Sequence, residues 1–226
     1  MIIFIFYAQA FKWKIVLLYV LSYIIFGITY AFAAAAQPGP FQAFIISQTI
    51  KNGWKRTLPV AFAPLISDGP IIILVLFLLS TVPGWLIQLL QIGGGLLLLY
   101  LAYKAFLSYL NYDLRKGVEE SRQENSLFKA VLVNAINPGP WIGWSLIMGP
   151  LFIKGYEQSA GYGVALLISF YCTMVLSLMG IIILFGLARN LGPKVTRVIL
   201  GISVIALAGF GIYQLWQGIT LLLQVE

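Results

Sequence analysis

Residues 36–41 read AQPGPF and residues 136–141 read INPGPW, each beside or within a run apolar enough to cross a bilayer. Proline has no amide hydrogen and its ring clashes with the carbonyl one turn back, so two prolines around a glycine interrupt a helical ladder. In hydrocarbon the freed backbone groups must find protein, water or a ligand, so a helix broken there marks a polar cavity. A single copy reads as a packing kink. Two copies in matching places, with Pro38 and Pro138 one hundred positions apart, read as a site.

Around these breaks lies a chain of 226 residues, 61% hydrophobic and 9% charged, with mean hydropathy +0.95. Soluble domains carry about 25% charged residues, so this is an all-α integral membrane protein, read as one membrane domain over residues 1–226. Its apolar segments run from Ile15 to Ala36 with a continuation over Phe41–Ile50, then Thr57–Ser80, Trp85–Leu107, Phe128–Ile153, Gly161–Leu187 and Val198–Leu222. At roughly 20 residues per span these are six transmembrane helices. The polar stretch NYDLRKGVEESRQENS, residues 111–126, is a solvated connector. It separates a first repeat of about 12–110 from a second of about 128–222. Three spans in each half force the second to enter the membrane from the side opposite to the first, which gives two inverted three-helix repeats, both broken at Pro-Gly-Pro. Inversion predicts that both breaks face one cavity.

The basic residues report orientation. The first loop has Lys51, Lys55 and Arg56, the third region Lys104, Arg115, Lys116, Arg122 and Lys129, and the fifth loop Arg189, Lys194 and Arg197, against Lys12, Lys14 and Lys154 on the other side. By the positive-inside rule those three loops are cytoplasmic and both termini lie outside a cytoplasmic (inner) membrane. The net charge of +7 sits beside apolar runs, which suits lipid anchoring and not nucleic acid. Lys12 and Lys14 precede a run ending in YAFAAAA, but that run exceeds the roughly 7–15 residues of a signal-peptide core. Residues 1–11 read as an interfacial segment or an extended start.

Within the breaks, Gln37, Pro38, Gly39 and Pro40 match Asn137, Pro138, Gly139 and Pro140. Half-helices beginning after Pro40 and Pro140 would present unpaired N–H groups and a partial positive end, suited to a carboxylate. Asp68 is the only acid inside a span, twelfth of the residues from Thr57 to Ser80 and so roughly 17 Å deep. An aspartate there costs at least ~2.5 kcal/mol on insertion scales and usually faces a water-filled cavity. Three outcomes are open: it carries a proton, binds a cationic group of a substrate, or alternates between the two and so couples substrate to protons. A purely structural reading has Ser67 and Asp68 capping a half-helix that restarts near Pro70.

Other features read as packing or lining. Gly93, Gly94 and Gly95, with Gly201, Gly209 and Gly211, supply small faces for close helix approach or a homodimer contact. Trp85 and Trp216 are interfacial anchors. Trp141 and Trp144 follow the second break and read as packing ahead of the alternative of lining a cavity, while Asn134 and Ser145 are candidates for polar lining. With no histidine and the single Cys172, transition-metal and thiol chemistry are disfavoured. No catalytic constellation or phosphate-binding loop is present, so the chain reads as a non-enzyme without a cofactor.

These residues resemble the LysE/RhtB family of amino-acid exporters over nearly the whole chain. The resemblance rests on QPGPFQAFIISQTIKNGWKRTLPVAFAPLISDGP, with loop glycine Gly53 and then Asp68, and on VLVNAINPGPWIGW. Thr57, Ala63 and Ser67 stand where the family usually has glycines, Pro59 and Pro64 are additional, and Phe41 replaces a frequent asparagine. The resemblance implies a six-span secondary exporter of basic or small neutral amino acids, and a divergent subgroup of it. Exporting one positive charge against an inside-negative potential costs about 2.3 kcal/mol per 100 mV, which favours proton antiport through Asp68. A metal-cation exporter and a non-transporting membrane scaffold are the alternatives.

Overall fold

The computed structural model describes residues 2–77, 84–110, 126–189 and 191–223, and it is helical throughout. Most of the charged connector, with Arg115, Lys116 and Arg122, and the end of the second apolar segment at Ser80 lie outside the described residues.

The helices follow the apolar runs and stop where proline or glycine makes them stop. Helix α1, Ile2–Ala36, takes in residues 2–14 as one continuous helix with the first apolar run. After the break, α2 is Pro40–Asn52, and a short α3, Trp54–Thr57, tightens into a 3-10 turn at Leu58–Phe62 before α4, Ala63–Phe77. Then come α5, Gly84–Leu110, and α6, Ser126–Ile136, followed after the second break by α7, Pro138–Gly143. A π turn at Trp144–Met148 joins α7 to α8, Gly149–Gln158, and the long helices α9, Ala160–Arg189, and α10, Pro193–Leu223, complete the chain.

Among the described residues, five helices are long and apolar enough to cross a membrane: Val16–Ala36, Trp54–Leu76, Gln88–Leu110, Ala160–Arg189 and Pro193–Thr220. The expected span over Phe128–Ile153 does not form one helix. It is split at Asn137 and again loosened at the π turn, where the Gly149 N–H reaches back five residues to the Trp144 carbonyl.

Packing shows how the pieces line up. Tyr19 and Tyr23 stack on Tyr162 at 6.2 and 5.7 Å, Tyr30 stacks on Phe170 at 6.0 Å, and Trp54 lies against Gly186. Helix α1 and then α2 therefore run alongside α9 in the same direction, as one interrupted rod. At the far end of that rod the Asn52 amide donates to Ser126 Oγ at 3.2 Å, Gly53 abuts Arg189, and Arg197 lies over the Tyr109 ring at 5.2 Å. The ends of α2, α5 and α9 and the starts of α6 and α10 thus share one face, and Lys51, Lys55, Arg189, Lys194 and Arg197 sit at or near it. From this face α2 extends 13 residues and α6 extends 11 to their breaks, about 20 and about 17 Å. Both breaks lie at similar depth, approached from opposite chain directions.

Helices α5 and α10 pack antiparallel through the small faces expected of the glycines. A Cβ on Gly95 would meet Leu215 and the Gly211 carbonyl, and one on Gly201 would meet Tyr109, whereas Gly209 has open space.

Candidate functional site

Each break is held open by one side chain. Pro38 has no N–H for the Ala34 carbonyl, and Gln42 reaches back to donate to Ala34 and Ala35 at 3.1 and 3.2 Å. In the second break the Trp141 indole donates to the Ala135 carbonyl at 2.8 Å. The Ala34, Ala35 and Ala135 carbonyls, beside breaks that would otherwise leave them bare in hydrocarbon, are thereby satisfied.

The two restarts differ, and this corrects the expectation of equivalent half-helices. In the first, Gly39 is the extended N-cap (φ −167°, ψ 177°), Pro40 is the first helical residue, and no side chain caps the end. Its first intrahelical bond runs from Ala43 N–H to the Gly39 carbonyl at 2.9 Å, so the Phe41 and Gln42 amides precede the ladder. In the second, the helix restarts at Pro138 and not after Pro140, because Asn137 Oδ1 accepts from the Gly139 N–H at 3.1 Å. Asparagine is short enough to bond the amide two residues on, and Gln37 makes no such cap. The open helix end is therefore that of α2.

Asp68 lies in the middle of α4, which continues through Pro70. The capping alternative fails: no half-helix starts there. Asp68 is buried at 4% exposure. Asn134 Nδ2 donates to its Oδ1 at 2.9 Å and to Ser67 Oγ at 2.7 Å, while the Ser67 hydroxyl approaches Oδ1 at 3.4 Å. Its Oδ2 accepts a long bond from the Tyr171 hydroxyl at 3.3 Å, and the Trp144 side chain is a further hydrogen-bond partner of the carboxyl. No lysine or arginine is among these partners. A carboxyl group surrounded by neutral donors can take a proton or receive a cation without first breaking a salt bridge.

The two breaks and Asp68 meet at a cavity of about 380 Å³, near the lower end of the range for small-molecule sites. Gln37, Pro38, Gly39 and Pro40 from the first break, Asn137, Pro138, Gly139 and Pro140 from the second, and Asp68 with Asn134 all line it. Both breaks thus face one space. Trp144 lines it too, lowered against Asp68 by the π turn, whereas Ser145 is buried with its hydroxyl unpartnered and is not among the lining residues.

A family model for LysE type translocators matches residues 32–218, from just before the first break to near the end of α10. The chain belongs to the LysE type translocator family. No curated protein and no solved structure matches it. The LysE match identifies a membrane translocator, not an enzyme, and its span contains every residue lining the cavity except Tyr30.

Sequence reasoning missed lining or supporting residues, among them Gln42, Tyr171, Gln91 and Gln214. The glutamines had a signal, an amide inside an apolar run. Tyr171 had none, since a tyrosine in a span is ordinarily packing or an interfacial anchor.

Proposed function

We propose that this LysE-type translocator is a secondary exporter of an amino acid across the cytoplasmic membrane, in antiport with protons that occupy Asp68. It would have six crossings arranged as two inverted repeats, the fourth being the interrupted run α6 to α8, with the basic face in the cytoplasm and both termini outside. The observation that carries this reading is the convergence of both Pro-Gly-Pro breaks and the sole intramembrane acid on one cavity.

The chemistry of a zwitterion suits that cavity. The free amides and partial positive end of α2 would receive the α-carboxylate, and Asp68 Oδ2 would receive the ammonium group. A proton arriving at Asp68 from outside would compete with the ammonium and release it. Alternation of the carboxyl between proton and amine gives obligatory exchange without ATP.

Efflux from proteoliposomes or cells preloaded with labelled amino acids, comparing wild type with Asp68→Asn at matched membrane expression, tests the reading. Selective, pH-gradient-dependent loss of one or two amino acids from wild type alone is expected. Equal efflux from both would remove Asp68 from the mechanism, and no efflux from either would turn attention to cations or to a scaffold role.

A further inference from the structure

We infer that Gln91 and Gln214 form a second binding subsite in this cavity, one that reads an uncharged hydrogen-bonding group on the transported molecule; the inference rests on the exporter reading. Both residues line the same cavity as Asp68, from α5 and α10. Each is 7% exposed, and the side-chain oxygen of each is buried without a donor. Gln91 Nε2 is engaged, donating to Gln217 Oε1 at 3.0 Å, and Gln217 in turn donates to the Tyr213 hydroxyl. Gln214 makes no side-chain hydrogen bond to any described residue.

Buried amides left unpaired are rare and costly. Two of them, in the wall of one membrane cavity, are accounted for if a ligand supplies the missing partners. A glutamine amide both donates and accepts, and rotation about its last bond exchanges the two. It therefore matches a hydroxyl or a carboxamide, which also do both. A second cation fits poorly, because Asp68 is the only carboxylate among the lining residues and would already face the α-ammonium. A second anion fits no better, since no lysine or arginine lines the cavity.

The test is efflux of five labelled amino acids from proteoliposomes: threonine and its isostere valine, glutamine and its near-isostere methionine, and lysine. Wild type is expected to favour threonine over valine, or glutamine over methionine, by roughly tenfold. Gln91→Met and Gln214→Met should bring that ratio toward one, and Gln214→Glu should shift preference toward lysine. Unchanged ratios in both methionine variants would overturn the subsite and assign the amides to water, with the exporter reading intact. If neither methionine variant reaches the membrane, Gln214→Glu still decides, and failure to gain lysine efflux overturns the inference. A wild type that moves none of the five overturns the exporter reading and this inference together.

Discussion

The side-chain amide of Asn134 bridges Asp68 Oδ1 at 2.9 Å and Ser67 Oγ at 2.7 Å, tying the helix before the second break to the acid of the second span. This is the shortest link between the two halves at the carboxyl group. It puts the second break and the proposed coupling residue in direct mechanical contact.

Asn134→Leu would strip Asp68 of its 2.9 Å donor and leave the carboxyl to Trp144 and to the long bonds from Ser67 and Tyr171. We expect efflux to fall at least tenfold and stability to drop by about 1–3 kcal/mol, the range for a buried group stripped of its partner. The double variant Asp68→Leu/Asn134→Leu should recover the stability and not the transport. Thermal unfolding in detergent alongside efflux separates the two effects, and additive losses of stability would contradict the coupling.

Gln42→Leu removes the donor that serves the Ala34 and Ala35 carbonyls. A loss of about 1–3 kcal/mol follows. Adding Pro38→Ala restores an N–H four residues after Ala34, so the pair should regain part of the stability while straightening the break and abolishing efflux. Failure of the second change to rescue stability would show that Gln42 acts otherwise.

Gly53 has φ +81°, and a Cβ there would also meet the Arg189 guanidinium at 2.9 Å. Gly53→Ala is expected to cost about 1–2 kcal/mol from the backbone alone. Lower melting temperature and reduced membrane yield are the measurable results, and an unchanged melting temperature would rule out the positive φ.

The α5/α10 seam offers an internal control. Gly95→Val would drive a side chain into Leu215 and the Gly211 carbonyl, whereas Gly209 has nothing within 4 Å of an added Cβ. Gly95→Val should impair assembly, while Gly209→Ala should be neutral or stabilising by up to about 1 kcal/mol.

The proposed sidedness is testable at the shared basic face. In a Cys172→Ser background, Lys55→Cys and Lys194→Cys should react only with reagents that enter the cytoplasm, whereas Lys154→Cys should also react with an impermeant reagent added outside. The reverse pattern would invert the proposed direction of transport.

Much of the fold was legible in the residues themselves. Apolar runs, two proline breaks and one acid at mid-span are properties of short stretches, and they announced a membrane bundle with an interrupted first and fourth segment and an unusual Asp68. Local chemistry also contained errors that looked reasonable in isolation. Ser67 and Asp68 before Pro70 resemble a cap, yet α4 runs on through Pro70. Pro138 and Pro140 look equivalent to Pro38 and Pro40, yet Asn137 caps its own helix and moves the restart by two residues.

The sequence by itself determined where helices must break and which charge must be sheltered, because backbone donors, ring sterics and solvation energies belong to individual residues. Only the tertiary structure decided who meets whom. Tyr171 and Asn134 reach Asp68, Gln42 and Trp141 seal the breaks, and Gln91 and Gln214 share the cavity wall because helices distant in sequence pack side by side. Those meetings depend on the crossing and rotation of whole helices, which no local pattern of residues encodes.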